Sequence, residues 1–189
     1  MHAAAERPGL ATRALRSAGR LLQLVPRRAA WLPALGWMGL ILWASSLPGG
    51  PGPWRPLRAL VLNLGHAPLF GVLALLAALS LPRRGGWPRL EAPATAGVLA
   101  FVLAFGVAVE LYQHAVASGR DGSLLDVATD MTGAACALWV AGYLSRADAE
   151  DRGLWMRLAI GVVACVGAAA LATWLPAWLP ERMPGHAWL

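Results

Sequence analysis

Apolar runs of about twenty residues, separated by short polar or Gly/Pro-rich connections, make up most of the chain. Five runs stand out, over 29–47, 59–81, 92–116, 124–144 and 154–175. The first carries no charge. The second is interrupted only by Asn63 and His66, the third holds Glu110 and Gln113 near its end, the fourth holds Asp126 and Asp130 near its start, and the fifth opens with Arg157. Each is long enough to cross about 30 Å of hydrocarbon. Backbone in lipid must satisfy its own hydrogen bonds, so each run is predicted to be a helix. Turn formers bound them: Pro48 to Pro51, Pro82 with Gly85 and Gly86, Gly119 with Gly122, Gly153, and Pro176. The expected fold is an all-α polytopic membrane bundle of about five transmembrane helices. Residues 1–28 read as a basic cytoplasmic arm, 29–145 as a four-helix core, and 154–189 as a fifth helix with an interfacial tail.

Composition strengthens this picture. The 189 residues are 58% hydrophobic and 14% charged, against about 25% charged in soluble domains. All 16 basic residues are arginine. They lie between the apolar runs, where basic residues set membrane orientation, so the net charge of +6 does not point to nucleic acid. Twelve arginines fall in the N-terminal segment and in the second and fourth connections, with Arg157 just beyond; four fall on the alternate side. This bias predicts a cytoplasmic N-terminus and an external C-terminus. The first apolar run is longer than a signal-peptide core and ends in no clear A-x-A site, so it is expected to remain as a span. Within the arm, Arg13, Arg16 and Arg20 share one helical face, which suits a helix on an anionic surface as well as a disordered basic segment. Trp31, Trp54, Trp87, Trp155, Trp174 and Trp178 fall near the expected interfaces. Cys136 and Cys165 sit inside apolar runs, without metal-ligand or redox spacing. No metal and no cofactor are expected.

The polar residues inside the runs carry the candidate chemistry. With this topology His66 lies about 10 Å, and Glu110 and Asp130 each about 9 Å, from the same end of the bundle. Asn63 and His66 are spaced i, i+3, as are Glu110 and Gln113, with His114 at i+4. Ser123, Asp126, Asp130 and Gly133 form one stripe at helical spacing. A charged side chain at the bilayer centre costs on the order of 3 kcal/mol, so three helices with polar stripes at one depth are expected to turn them toward each other. The anticipated site is an outward-opening polar pocket of Asn63, His66, Glu110, Gln113, Ser123, Asp126 and Asp130, with Arg120 and Asp121 at its mouth. Polar residues in spans also serve as interhelical glue, which is the simpler reading of Asn63, Gln113 and Ser123.

These residues carry a resemblance. "NLGHAPLFGVLALL", then "ELYQ", then "GRDGSLLDVATDMTGA" is similar to the VanZ-like family, which has a His in its first polar helix, E-x-x-Q, and G-R-x-x-S-x-x-D followed by Asn and Gly. The matching positions are His66, Glu110, Gln113, Gly119, Arg120, Ser123, Asp126 and Gly133; "SSLPG" at 45–49 resembles the family's first-helix exit. The resemblance spans about residues 35–145. It departs at Asp130, where the family usually has Asn, and at Ala67 and Pro68, where aromatic residues often stand. It implies a bacterial inner-membrane protein of a family associated with resistance to the lipid-tailed glycopeptide teicoplanin.

Three functions follow as expectations. In the first, the pocket binds the polar head of an envelope amphiphile, a lipoglycopeptide or a cell-wall lipid intermediate, while membrane lipids surround the bundle. In the second, the chain is an intramembrane enzyme acting on an envelope lipid, with His66 as general base oriented by Glu110 or Asp126. The lack of a nucleophile elbow or phosphate loop weighs against it. In the third, the carboxylates and His66 relay protons in a transporter, although no internal repeat is visible. A homo-oligomer is compatible with all three.

Overall fold

The computed structural model describes residues 9–21, 24–46, 55–84, 87–116 and 123–178. Its elements are α1 (Leu10–Leu21), a 3-10 turn (Arg27–Ala29), α2 (Trp31–Ser46), α3 (Arg55–Ala78), a two-stranded antiparallel ribbon of β1 (Arg83–Arg84) and β2 (Trp87–Pro88), α4 (Ala92–Val116), α5 (Leu124–Leu144) and α6 (Asp151–Trp178). Five helices, α2 to α6, are long and apolar enough to cross a membrane. The protein is an all-α bundle of the multi-pass membrane type. Several boundaries differ from the sequence expectation: α2 begins two residues late, at Trp31, and α3 ends three residues early, at Ala78. Helix α3 begins four residues early, at Arg55. Helix α6 begins three residues early, at Asp151, because an acid suits the positive end of a helix, and it continues past Pro176.

Helices α3 and α5 form the spine. They run in the same direction and pack directly on each other, with α4 against both and α2 leaning on α3 and α4, while α6 covers α3 and α5 on another side. The interior is built from Ala34 and Ile41 of α2, Phe70, Leu73 and Ala74 of α3, Val98, Val102, Phe105 and Val109 of α4, and Ala134 and Leu138 of α5. The α4 residues recur at i, i+4, i+7 and i+11, the stripe of one helical face. Small residues bring the two spine helices together: a Cβ on Gly133 would lie 2.0 Å from the Ala67 carbonyl oxygen, and one on Gly71 would lie 3.2 Å from that of Gly133. Such close approach drives association in lipid, where burial of apolar surface supplies no net force. Outward faces are correspondingly apolar, with Val61, Val162, Val163 and Leu171 all more than half exposed.

The end of the bundle holding α1 and the α3–α4 and α5–α6 connections is tied by polar contacts. Arg83 donates to the Leu79 carbonyl from Nε (3.0 Å) and Nη2 (2.6 Å), where α3 ends, and to the Val25 carbonyl from Nη1 (3.1 Å). The N-terminal arm holds a docked helix: the Asp151 carboxylate accepts from the backbone N–H of Ala11 (3.2 Å) and Thr12 (2.8 Å), capping α1 from the start of α6. Arg16 donates to the carbonyls of Arg146 and Ala147. The opposite end, where α3 starts, α4 finishes and α5 starts, holds the polar residues.

Candidate functional site

His66 is brought to the centre of the bundle by the α3–α5 crossing. It follows the start of α3 by eleven residues, about 16 Å along the axis. The crossing at Ala67 and Gly133 sets α5 against it, and His66 Nδ1 lies 2.9 Å from Asp130 Oδ1. Both are buried, at 8% and 0% exposure. The group that orients His66 is therefore Asp130, rather than Glu110 or Asp126. The ring of Phe70, one turn on, lies parallel to the imidazole at 6.3 Å, and Phe105 packs on Phe70 at 6.0 Å. These rings form an apolar floor beneath the polar residues. Gly106 of α4 makes room for the pair: a Cβ there would stand 3.1 Å from Asp130 Oδ2.

Glu110 comes from α4. Its Oε2 accepts the backbone N–H of Ser123 at 2.7 Å, so the end of α4 holds the start of α5. Ser123 is the N-cap of α5, its Oγ accepting from the Leu125 N–H at 3.2 Å. One turn into α5, Asp126 reaches the same region. His66, Glu110 and Asp126 each offer a ligand-capable atom, and these atoms lie within 4.8 Å of one another. The sequence singled out the same three residues as lying at one end of the bundle; the packing of three helices brings their atoms this close. Among the described residues, three buried polar atoms here have no hydrogen-bond partner: Glu110 Oε1, Gln113 Nε2 and Asp130 Oδ2. Each such atom costs about 1–3 kcal/mol when buried without one.

The remaining candidates separate. Asn63 Nδ2 donates to Thr173 Oγ1 of α6 at 3.1 Å, a bond between helices on the α3–α6 side. Gln113 is buried one turn beyond Glu110, whereas His114 is exposed. Arg120 and Asp121, expected at the mouth, lie outside the described residues, as do Gly119 and Gly122. Sequence reasoning passed over Gly106 and Thr173. Gly106 had a signal, since it precedes Glu110 by four residues and so shares its face. Thr173 had none, because nothing local marks which helix will meet Asn63. Compared with known proteins, the chain matches no family model, no curated protein and no solved structure.

Proposed function

We propose that the protein is a VanZ-like component of a bacterial inner membrane, with its N-terminus cytoplasmic, that engages the polar head of an envelope amphiphile at the His66–Glu110–Asp126–Asp130 cluster. The amphiphile is of the lipid-tailed glycopeptide or cell-wall lipid type. One observation carries this reading: three spans converge buried ionisable groups at one end of an apolar bundle, with Glu110 Oε1, Gln113 Nε2 and Asp130 Oδ2 lacking partners. Ionisable residues inside spans usually mark a binding or reaction site. The floor of Phe70 and Phe105, continued by Leu73, Val102 and Leu138, favours a site entered from one side over a path through the bundle. The apolar outer faces suit an acyl tail beside the site. The motif around His66, Glu110, Arg120 and Asp126 supports the family, and the arginine bias supports the orientation.

A second reading, an enzyme acting on an envelope lipid, is favoured by the 2.9 Å contact between His66 and Asp130. A carboxylate on Nδ1 fixes the imidazole tautomer and orients the other nitrogen as a general base. One set of variants tests both. Replacing His66, Glu110 or Asp126 singly with alanine is expected to abolish protection against teicoplanin at unchanged membrane abundance, with little change toward vancomycin, which has no lipid tail. Equal effects on both antibiotics would remove the amphiphile reading. Turnover of an envelope lipid by the purified chain, lost in His66→Ala, would install the enzyme in its place.

A further inference from the structure

We propose that His66, Glu110 and Asp126 bind one divalent cation of the zinc class, with Asp130 holding His66 from the outside. The three donors come from α3, α4 and α5, and their ligand atoms already lie within 4.8 Å of one another. Tetrahedral ligands at about 2.0–2.2 Å from zinc stand about 3.3–3.6 Å apart, so side-chain adjustment without helix movement closes the site. Two further observations point to an ion. Glu110, at 4% exposure, keeps Oε1 unpartnered while Ser123 N–H fixes Oε2, which leaves an oriented carboxylate with one oxygen to offer. His66 Nδ1 is engaged by Asp130 Oδ1 at 2.9 Å. Metal-bound imidazoles are held in this way, with a carboxylate on the nitrogen opposite the metal. Nε2 is then the nitrogen left for the ion.

Charge and donor type agree. Buried Glu110 and Asp130 and half-buried Asp126 bring three carboxyl groups to one imidazole, an excess of acid that a dication balances. One imidazole and two carboxylates favour zinc, or manganese or iron, over the all-oxygen shells of magnesium and calcium. Three protein ligands leave a fourth position for water or for an oxygen of an arriving headgroup. Only the occupant of that position rests on the proposed function; the ion itself does not.

The full-length protein, purified in nanodiscs and stripped with a chelator, is titrated with Zn²⁺ by equilibrium dialysis. One saturable site of submicromolar Kd is expected. His66→Ala, Glu110→Gln and Asp126→Asn each weaken it at least 100-fold, and Asp130→Asn weakens it about 10–100-fold. Joint Cys136→Ser and Cys165→Ser substitution leaves it intact. Co²⁺ in place of Zn²⁺ gives a visible absorption band that His66→Ala removes. The absence of a saturable site on the unmodified chain would overturn the proposal without recourse to any variant. So would affinity unchanged in all three ligand variants, or lost in the cysteine variant. Tight Zn²⁺ binding with no teicoplanin phenotype would sink the amphiphile reading alone.

Discussion

Gly133 shows how much one missing methyl group decides. Any Cβ there would enter the backbone of Ala67, 2.0 Å from its carbonyl oxygen and 2.6 Å from its Cα. Ala67 directly follows His66 on α3, so the same approach sets the His66–Asp130 distance. Gly133→Ala is expected to force α3 and α5 apart at a cost of roughly 1–3 kcal/mol. The loss would read as a fall of several degrees in the temperature at which detergent-solubilised protein leaves the monodisperse peak. Gly39→Ala on α2 makes a control, since nothing lies within 4 Å of its Cβ. In that position the helix gains about 0.5–1 kcal/mol from reduced backbone freedom, so the midpoint stays or rises. Equal midpoints for the two variants would mean that the crossing is looser than described. Asn63 belongs to the same scale. Asn63→Ala breaks one bond to Thr173 and is expected to lower stability by about 0.6–2 kcal/mol, with the affinity of the polar cluster unchanged.

Among the helices, α1 is the one whose placement depends least on apolar packing. Of its residues only Thr12 and Gly19 are buried, the latter against the indole of Trp87. Its first turn is held by the Asp151 carboxylate and its middle by Arg16 on the α5–α6 connection. Asp151→Ala removes the acceptor for two backbone N–H groups at once. Amide exchange over residues 10–21 is expected to accelerate, while α3 and α5 keep their protection. Unchanged exchange would show that the basic face of α1, and not Asp151, holds the helix in place. A second cation works at the α5–α6 junction: the Arg157 guanidinium stacks 3.9 Å from the Tyr143 ring and 5.2 Å from that of Trp139.

At the scale of the molecule, the two ends of the bundle differ in kind. One gathers α1, the ribbon and the α5–α6 connection, rich in arginine that binds carbonyls. The other gathers the buried acids and His66 between helices. Under the proposed orientation, a cysteine replacing Arg120 in a chain with Cys136 and Cys165 changed to serine reacts with an impermeant maleimide added to intact cells. A cysteine replacing Arg89 reacts only after lysis. The reverse pattern would invert the topology and move the candidate site to the cytosolic face.

Length and hydropathy determined the number and extent of the spans, because a bilayer of fixed thickness demands about twenty apolar residues per crossing and leaves the backbone only a helix to adopt. Helices α4 and α5 accordingly begin and end where the apolar runs do. Spacing also marked His66, Glu110, Asp126 and Asp130 as residues of one end, since depth along a helix follows directly from residue count. Which of them meet was decided only in three dimensions. Helix rotation and crossing depend on contacts between distant segments, such as Gly133 on Ala67, and no local pattern encodes them. Those contacts sent Asn63 to Thr173 on α6, made Asp130 the partner of His66, and set Asp151 under α1.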